Sequence, residues 1–381
     1  MRNPFSDLFP NIFLSVDKMN VSKSVERLNG LDHLRALAII MVFLYHYQLP
    51  YFGYPDWLPE VAKFGWTGVD LFFVLSGFLI SSQLFEQIKA THTISLKNFF
   101  IKRFFRILPA YWTVVLIYFS FAYFHEREAL PPLWKFLTFT QNFGMNILAF
   151  GTFSHAWSLC VEEHFYFLLP ITLYFILSIK QFKRSIWLLI GLFLFGFAIR
   201  YYSWNSLYSP TGLWYKYIYY PTYNRLDGLL IGVSIAAIYQ FRPKVWTRIS
   251  QHGNLIAMLG LTVLIAAAIL FNDERSFESS IFGFPIISIG YGFLLIGAMG
   301  PGSVLSAWDS KITSFIASLS YGIYLIHKGI IHMTQNIFSG LSLEPKSNFM
   351  IILCIAATIL GALLLHLVIE KPFMKLRSKL L

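Results

Sequence analysis

Residues 157–170 read WSLCVEEHFYFLLP, with two adjacent glutamates and a histidine set in apolar and aromatic sequence. An ionised side chain at the centre of a bilayer costs about 2.5–3.5 kcal/mol, so such residues in a membrane helix usually face the protein interior or a water-filled cavity. Whether Glu162, Glu163 and His164 lie in a membrane helix therefore decides the fold class. If they do, one side of that helix is expected to line a polar site.

The composition places the chain in the membrane class. Of its 381 residues, 56% are hydrophobic, 18% are aromatic and only 13% are charged, and the mean hydropathy is +0.59. A soluble globular chain carries about 25% charged residues, so this chain has too few charges to cover a water-facing surface. The sequence predicts an all-α, polytopic integral membrane protein. About ten segments have the length of a transmembrane helix, namely 31–49, 65–85, 107–124, 156–179, 185–202, 224–240, 254–271, 281–299, 313–333 and 349–370.

The basic residues support this count. With the N-terminus in the cytoplasm, the predicted inner segments hold twenty Lys and Arg residues and the outer loops hold six. An excess of this kind is typical of cytoplasmic loops and places both termini in the cytoplasm. We predict a cytoplasmic N-terminal segment (1–29), one transmembrane domain (30–375) and a cytoplasmic tail (376–381). The expected location is the plasma membrane, the inner membrane of a bacterium, which the chain crosses several times.

The net charge of +11 follows from this topology and from attraction to anionic headgroups, so it predicts membrane lipids and no nucleic acid as partners. The two cysteines, Cys160 and Cys354, both fall in predicted helices and indicate no disulfide. The sequence shows no metal-ligand spacing, no nucleotide-binding glycine loop and no G-x-S-x-G elbow. We expect neither a metal nor a permanently bound cofactor.

Helix geometry predicts two depths for the ionisable residues. Arg35 and His46 are eleven residues apart, which puts them on one helix face with His46 about 16 Å further into the membrane. Arg35 and the basic cluster at 102–106 are expected to form a cytoplasmic mouth. A second group from five helices is expected in the outer half of the bilayer: His46, Asp70, Glu162, Glu163, Asp227 and His327. Together these residues predict a polar cavity open to the outside.

Several of these residues have a second interpretation. His46 is either a hydrogen-bonding residue between helices or a proton-transfer group. Asp70 either interacts with the positive end of its helix or orients a catalytic histidine. Lys102, Arg103 and Arg106 fall three and four residues apart, so they anchor the cytoplasmic end of a helix and also suit a phosphate-bearing cofactor.

The acidic residues further along the chain are equally open to two interpretations. Glu162 and Glu163 are adjacent, so on a helix they point about 100° apart and only one can face a shared cavity squarely. Asp227 either pairs with the neighbouring Arg225 at the membrane surface or takes part in the site. His327 is either a contact between helices or a site residue.

Seven blocks in this order along nearly the whole chain resemble the type-3 membrane acyltransferase family. They are GLDHLRALAIIMVFLYH (30–46), GVDLFFVLSGFLI (68–80), FFIKRFFRILPAYW (99–112), WSLCVEEHFYFLLP (157–170), NRLDGLLIG (224–232), SYGIYLIH (320–327) and EKPFMKLR (370–377). The resemblance implies a ten-helix enzyme that moves acyl groups, most often acetyl from cytoplasmic acetyl-CoA, onto extracytoplasmic glycans or exported molecules. We expect a stand-alone form, without the soluble esterase-like domain that some members carry after the membrane domain.

The resemblance also implies residue roles. Arg35 and His46 match the family's arginine–x10–histidine signature, so His46 is expected to be essential for transfer and Arg35 to serve the donor. The R-x-x-R element matches Arg103 and Arg106, which with Lys102 are expected to bind CoA. The expected catalytic residues are His46, Asp70, Glu162 and Glu163, and the expected substrate-binding residues are Trp157, Ser158, His164, Tyr166, Asp227 and His327. Two departures from the family pattern, Cys160 and His164, neighbour the acceptor side.

Two functions of different classes follow. The first is a membrane O-acyltransferase, with acyl-CoA as co-substrate and a glycan or lipid-linked acceptor. His46 then acts as general base or transient acyl carrier, and Asp70 or a glutamate orients its imidazole. The second is a proton-coupled transporter or flippase of a lipid-linked or sugar substrate, because intramembrane His and Glu residues also relay protons.

Overall fold

The computed structural model describes residues 29–49, 53–127 and 129–381. Within these ranges the chain is helical and contains no strand, which confirms the all-α prediction. The predicted N-terminal segment 1–29 lies outside the described residues except for Asn29, and the three domain boundaries stay predictions.

Ten helices of 15 residues or more lie in the described ranges, close to the ten predicted segments. We number them α1 (Asn29–Tyr47), α2 (Gly68–Thr91), α3 (Leu96–Ser120), α4 (Trp157–Ser178), α5 (Ser185–Tyr202), α6 (Asp227–Phe241), α7 (Gly253–Leu270), α8 (Phe284–Met299), α9 (Lys311–Gly340) and α10 (Asn348–Leu365). The shorter helical pieces are Leu58–Ala62, Gly65–Thr67, Ala122–Phe124, Leu133–Leu137, Ser154–Ala156, Phe182–Arg184, Ser203–Tyr208, Tyr215–Tyr219, Thr222–Asn224, Pro243–Ser250, Ser279–Gly283, Val304–Ala307, His366–Glu370 and Lys371–Leu380.

Seven helical segments in the described part of the chain are long and apolar enough to cross a membrane. They are Leu58–Thr91, Ser154–Ser178, Ser185–Tyr208, Gly253–Leu270, Ser279–Met299, Lys311–Gly340 and Asn348–Leu380. Helix α6 is apolar but has only 15 residues, and α1 and α3 carry charged residues in their first halves. These segments indicate a multi-pass membrane protein, while the count of ten spans and the cytoplasmic termini stay predictions.

The centre of the bundle consists of α2, α8 and α9. Each of these helices belongs to a segment whose apolar 18-residue stretch has 72% of its residues buried inside the protein. The corresponding share is 11% for the segment containing α5 and 17% for α7. Helices α5 and α7 therefore lie at the periphery, with apolar side chains available to lipid. Asp70 of α2 and His327 and Lys328 of α9 are buried and contact other protein groups.

Helices α2 and α6 approach each other very closely. A methyl group at Gly77 would lie 2.2 Å from the Leu229 carbonyl oxygen, and one at Gly232 would lie 2.4 Å from the Val74 carbonyl oxygen. Glycine allows the two backbones to come this near, as is common between membrane helices. The contact fixes the start of α6 beside the first turns of α2.

Helix α3 begins well before the predicted segment 107–124. Ser95 caps it, because its side-chain oxygen accepts a hydrogen bond from the backbone N–H of Asn98 at 3.4 Å. The basic stretch 102–106 is therefore part of the helix. Arg103 lies about 10 Å along α3 from Leu96, two turns into the helix.

Candidate active site

Three histidines from separate parts of the chain meet in one cluster. His46 is in the last turn of α1, His155 is in the short helix before α4, and His327 is in α9, which packs along α1. The ring centroids are 4.9 Å apart for His46 and His327, 4.7 Å for His155 and His327, and 5.8 Å for His46 and His155. His155 and His327 are buried, whereas His46 is half-buried and lines a cavity.

Backbone carbonyl groups set the proton positions in this cluster. His327 Nδ1 lies 2.8 Å from the Tyr324 carbonyl oxygen and 3.1 Å from that of Ile323. A carbonyl oxygen only accepts, so His327 Nδ1 carries the proton and, in the neutral ring, His327 Nε2 is an acceptor. His327 Nε2 is 2.9 Å from His46 Nδ1, which must then donate. The neutral His46 ring consequently keeps its lone pair on Nε2.

His155 supplies a second lone pair. Its Nε2 lies 3.3 Å from the Leu325 carbonyl oxygen and therefore donates, which leaves Nδ1 as an acceptor. That Nδ1 is buried and has no hydrogen-bond partner in the described part of the chain. We did not predict His155, although it stands two residues before the WSLCVEEHFYFLLP stretch. No group of three or more His, Cys, Asp or Glu side chains within the described ranges is arranged to hold a metal ion.

A buried ion pair lies beside the histidines. Lys328 Nζ is 2.9 Å from Glu126 Oε1 and 3.2 Å from Ser154 Oγ, and the two charged side chains are 3% and 0% exposed. The same Glu126 oxygen accepts from the backbone N–H of Phe153. An ammonium group has three N–H donors, so one remains for the cavity that Lys328 also lines. Glu126 comes from the loop after α3, and no sequence pattern links it to Lys328.

The cavity beside these groups has a volume of about 80 Å³. Its lining is largely aromatic, and consists of Val42, Tyr45, His46, Leu49, Trp66, Val69, Arg127, Ile147, Ser154, His155, Trp157, Tyr215, Tyr219, Tyr220 and Lys328. Aromatic faces with a few directed polar groups are typical of small-molecule sites. Of the residues predicted for the site, His46 and Trp157 line this cavity.

A hydrogen-bonded rim outside the predicted spans borders the cavity. The Tyr215 hydroxyl donates to Glu274 Oε1 at 3.3 Å and accepts from Arg275 Nη2 at 3.3 Å. Burial raises the pKa of Glu274 and also the pKa of Tyr215. The Tyr215 hydroxyl is therefore a neutral hydrogen-bonding group on the cavity wall.

Asp70 and Asp227 belong to a separate set of buried ion pairs. Asp70 Oδ1 accepts from Arg225 Nη2 at 2.8 Å, and Asp227 Oδ2 accepts from Arg200 Nη1 at 2.7 Å. The Arg225 guanidinium also lies 3.8 Å from the centroid of the Phe284 ring. The pair that the sequence suggested, Asp227 with Arg225, does not form because Arg225 reaches across to α2. These contacts join α2, α5 and α6.

Glu162 belongs to a third group. Its Oε2 accepts from Ser76 Oγ at 3.0 Å and from the Tyr166 hydroxyl at 2.5 Å. The guanidinium of Arg103 lies 5.3 Å from the centroid of the Tyr166 ring. Glu163 is half-buried and lies within Coulomb range of Arg103. The glutamates therefore face the predicted donor residues.

The single band of polar residues that we predicted is thus divided into three groups. The prediction placed the start of the third span at residue 107, whereas α3 begins at Leu96 and holds Arg103 within Coulomb range of the glutamates. We expected Asp70 or a glutamate to orient the His46 ring, but His327 makes that contact. The catalytic roles of Asp70 and the glutamates stay predictions.

Two hydroxyl groups lie near both the glutamates and the histidines. Ser158 Oγ is 2.5 Å from the Tyr324 hydroxyl, which donates to the His155 carbonyl oxygen at 2.6 Å. The Tyr324 ring lies 5.9 Å from that of His327, and its hydroxyl is within Coulomb range of Glu162. Ser158 and Tyr324 therefore lie between the two groups.

His164 lies apart from this path. Its Nδ1 is 2.8 Å from Thr222 Oγ1, and its ring stacks on Phe143 with centroids 5.4 Å apart. Both contacts are made with connecting segments between the long helices. His164 does not line the cavity, and its predicted role in acceptor binding stays a prediction.

The predicted donor residues form a cationic group beyond the glutamates. Arg35 and Arg103 are half-buried, and Lys102 and Arg106 are exposed. Arg106 lies within Coulomb range of both Arg35 and Arg103. Arg35 Nη1 is 3.7 Å from Asp32 Oδ1. We call these four basic residues the donor-side cations.

The chain matches the family model described as an acyltransferase domain, of the acyltransferase type 3 class, over residues 28–367. It is 29% identical over 368 residues to the peptidoglycan O-acetyltransferase OatA of Listeria monocytogenes, covering 91% of this chain and 56% of the relative. It is also 29% identical over 380 residues to a putative O-acetyltransferase of Staphylococcus aureus strain COL, covering 93% and 58%. The O-acetyltransferase OatA of Staphylococcus aureus strain NCTC 8325 is 29% identical over 323 residues, covering 80% and 50%. The chain spans about half the length of these curated relatives, and no solved structure matches it.

Proposed function

Because the chain belongs to the acyltransferase type 3 family, we propose that it transfers an acyl group, with acetyl as the first candidate, from cytoplasmic acyl-CoA to a hydroxyl of an extracytoplasmic glycan or exported molecule. The relatives named as O-acetyltransferases support acetyl as the group and oxygen as the acceptor atom. The observation that carries the proposal is the hydrogen bond between His46 and His327, which leaves a lone pair on His46 beside a cavity.

In this proposal His46 is the general base. Its Nε2 takes the proton of the acceptor hydroxyl while that oxygen attacks the thioester carbonyl carbon. The C–S bond then breaks, and the CoA thiolate takes the proton from the imidazolium. A second route uses the same lone pair as the nucleophile, so that an acyl-imidazole forms before the hydroxyl displaces the ring. Both routes need the tautomer that His327 imposes.

Two further groups beside His46 have roles in this chemistry. The third N–H of Lys328 stabilises the negative charge that develops on the thioester carbonyl oxygen, and Glu126 balances the lysine charge when the site is empty. The free Nδ1 of His155 accepts a hydrogen bond from the acceptor and fixes its orientation.

The donor-side cations would bind the phosphates of CoA, because arginine and lysine form charge-assisted hydrogen bonds with phosphate oxygens. The pantetheine arm would then extend past the glutamates and the hydroxyls of Ser158 and Tyr324 toward His46. Donor and acceptor enter from opposite sides of the membrane in this arrangement. Membrane lipids surround the protein, and the plasma membrane is the proposed location.

The aromatic cavity is the proposed acceptor site. Trp157 and Tyr219 contribute apolar wall to this cavity, and the histidines and Lys328 supply polar contacts to an acceptor hydroxyl. The name of the Listeria monocytogenes relative makes peptidoglycan the first acceptor to test.

The test uses the purified chain in lipid nanodiscs with radiolabelled acetyl-CoA and peptidoglycan fragments. We expect label in the glycan with the wild type and none with His46→Ala. A His332→Ala variant, changed on α9 outside the cluster, should retain transfer. Label transfer that survives His46→Ala contradicts the mechanism. Movement of glycan across vesicle membranes without label transfer favours the transporter or flippase instead.

A further inference from the structure

The C-terminal helix brings another cation to the donor side. Lys371–Leu380 packs against the first half of α3, where the ring centroids of Phe105 and Phe373 are 6.4 Å apart. This packing places the half-buried Arg377 within Coulomb range of Arg106. The sequence places Arg377 in the cytoplasmic tail and at the end of the family-like block EKPFMKLR (370–377), without a role.

Arg106 and Arg377 repel each other, and no described carboxylate forms an ion pair with either guanidinium. The acidic residue just before the C-terminal helix, Glu370, is paired with His366 at 2.7 Å. An anion bound between the two guanidinium groups would interact favourably with both. A phosphate monoester, with about two negative charges, is the anion that two guanidinium groups bind best.

The positions of the cations indicate which phosphate group of CoA would lie between Arg106 and Arg377. Arg103 lies within Coulomb range of Glu162 and Glu163, and Arg35 lies within Coulomb range of Tyr166. Arg377, on the last helix, has such an interaction with Arg106, which is exposed. In CoA the diphosphate adjoins the pantetheine arm, and the 3′-phosphate is on the ribose at the far end. An arm directed toward His46 leaves the diphosphate near the inner arginines and the 3′-phosphate further out.

We propose that Arg377, together with Arg106, binds the 3′-phosphate of the acyl-CoA donor. The inference rests on the proposed function, because it takes acyl-CoA as the donor. A lipid with a phosphate monoester headgroup offers the same chemistry to these arginines. The exposed Phe373 and Leu376 on the same helix would lie at the lipid surface, so the experiment must distinguish the two sources.

The test compares two charge-neutralising variants of the C-terminal helix in phosphatidylcholine nanodiscs, with binding measured calorimetrically. Arg377→Gln removes the proposed contact. Lys375→Gln removes an exposed charge about 200° around the same helix and is the matched control. We expect Arg377→Gln to weaken CoA binding about tenfold, as for the loss of one charge-assisted hydrogen bond, and Lys375→Gln to change it less than twofold.

The second ligand is 3′-dephospho-CoA, which keeps the diphosphate. Arg377→Gln should bind it as the wild type does, and Arg377→Lys should lose less affinity for CoA than the glutamine variant because it keeps the charge. Equal losses in the two glutamine variants, or equal losses for the two ligands, overturn the proposal. If Arg377→Gln weakens CoA binding relative to the wild type only in nanodiscs that contain phosphatidic acid, the two arginines bind the lipid headgroup instead. A wild type that binds neither ligand contradicts the proposed donor itself, whereas unchanged CoA binding by Arg377→Gln contradicts only this inference.

Discussion

The proton position on His46 is determined by a residue on another helix. A histidine in water exchanges between two neutral tautomers, and only one of them leaves Nε2 free to act as a base. Here the carbonyl groups of α9 fix the tautomer of His327, and His327 fixes that of His46. The proton position on His46 is thus set by another histidine and not by a carboxylate, which distinguishes this arrangement from the one that we predicted.

Replacing His327 by alanine should therefore lower catalysis more than binding. His46 Nδ1–H loses its acceptor, and the ring is free to rotate and to change tautomer. We expect kcat to fall about 10–100-fold, with the KM for acetyl-CoA little changed. His327→Gln, whose amide oxygen can accept the hydrogen bond, should recover part of the rate. Steady-state kinetics measures both parameters, and a wild-type kcat in the alanine variant would contradict the relay.

The buried pair of Lys328 and Glu126 allows stability to be separated from catalysis. Lys328→Met leaves a buried carboxylate without its partner, which should destabilise the protein by about 3–5 kcal/mol. Adding Glu126→Gln removes the second charge and should bring the thermal unfolding temperature most of the way back to the wild-type value. The double variant should still be slow, because the donor to the developing oxyanion is missing. Unfolding curves in detergent and transfer rates check the two effects, and full activity in the double variant would exclude Lys328 from the mechanism.

At the level of helices, the contact between α2 and α6 holds the ion pairs of Asp70 and Asp227 in place. Gly77→Ala puts a methyl group where the Leu229 carbonyl oxygen lies, so the helices must separate. We expect a loss of about 1–3 kcal/mol in stability, measured by thermal unfolding in detergent. Gly191→Ala in α5, where a methyl group meets nothing within 4 Å, is the control. Equal unfolding temperatures for the two variants would show that the contact is looser than the structure indicates.

The helices themselves were predictable because hydrophobicity and helix length are local properties of the sequence. The partners of the charged residues were not, because they depend on how distant helices pack. Asp70 and Arg225 are 155 positions apart, and His46 and His327 are 281 apart. The sequence indicated that each belongs in a polar interior, since exposure to lipid is costly, but it gave no pairing. His155 was missed because the predicted segment began one residue later, at 156, and Glu126 because it lies in the connection after α3.

Across the whole molecule, the proposed reaction needs two entrances that face opposite sides of the membrane. The donor-side cations and the C-terminal helix lie on the side of the glutamates. The histidines, the aromatic cavity and the loop that carries Glu126 lie on the other side. This separation would let a cytoplasmic donor meet an external acceptor without either substrate crossing the bilayer.

Labelling of introduced cysteines tests this arrangement. Lys102 is exposed in the donor-side group and Leu148, which is 82% exposed, lies in the loop between α3 and α4. The native Cys160 and Cys354 are both buried, so a membrane-impermeant maleimide should leave the wild type unlabelled. We expect Leu148→Cys to react in intact cells, and Lys102→Cys to react only after the membrane is permeabilised, because the predicted topology puts the two residues on opposite faces. Labelling of both from the same side would place donor and acceptor entrances together and would contradict transfer across the membrane.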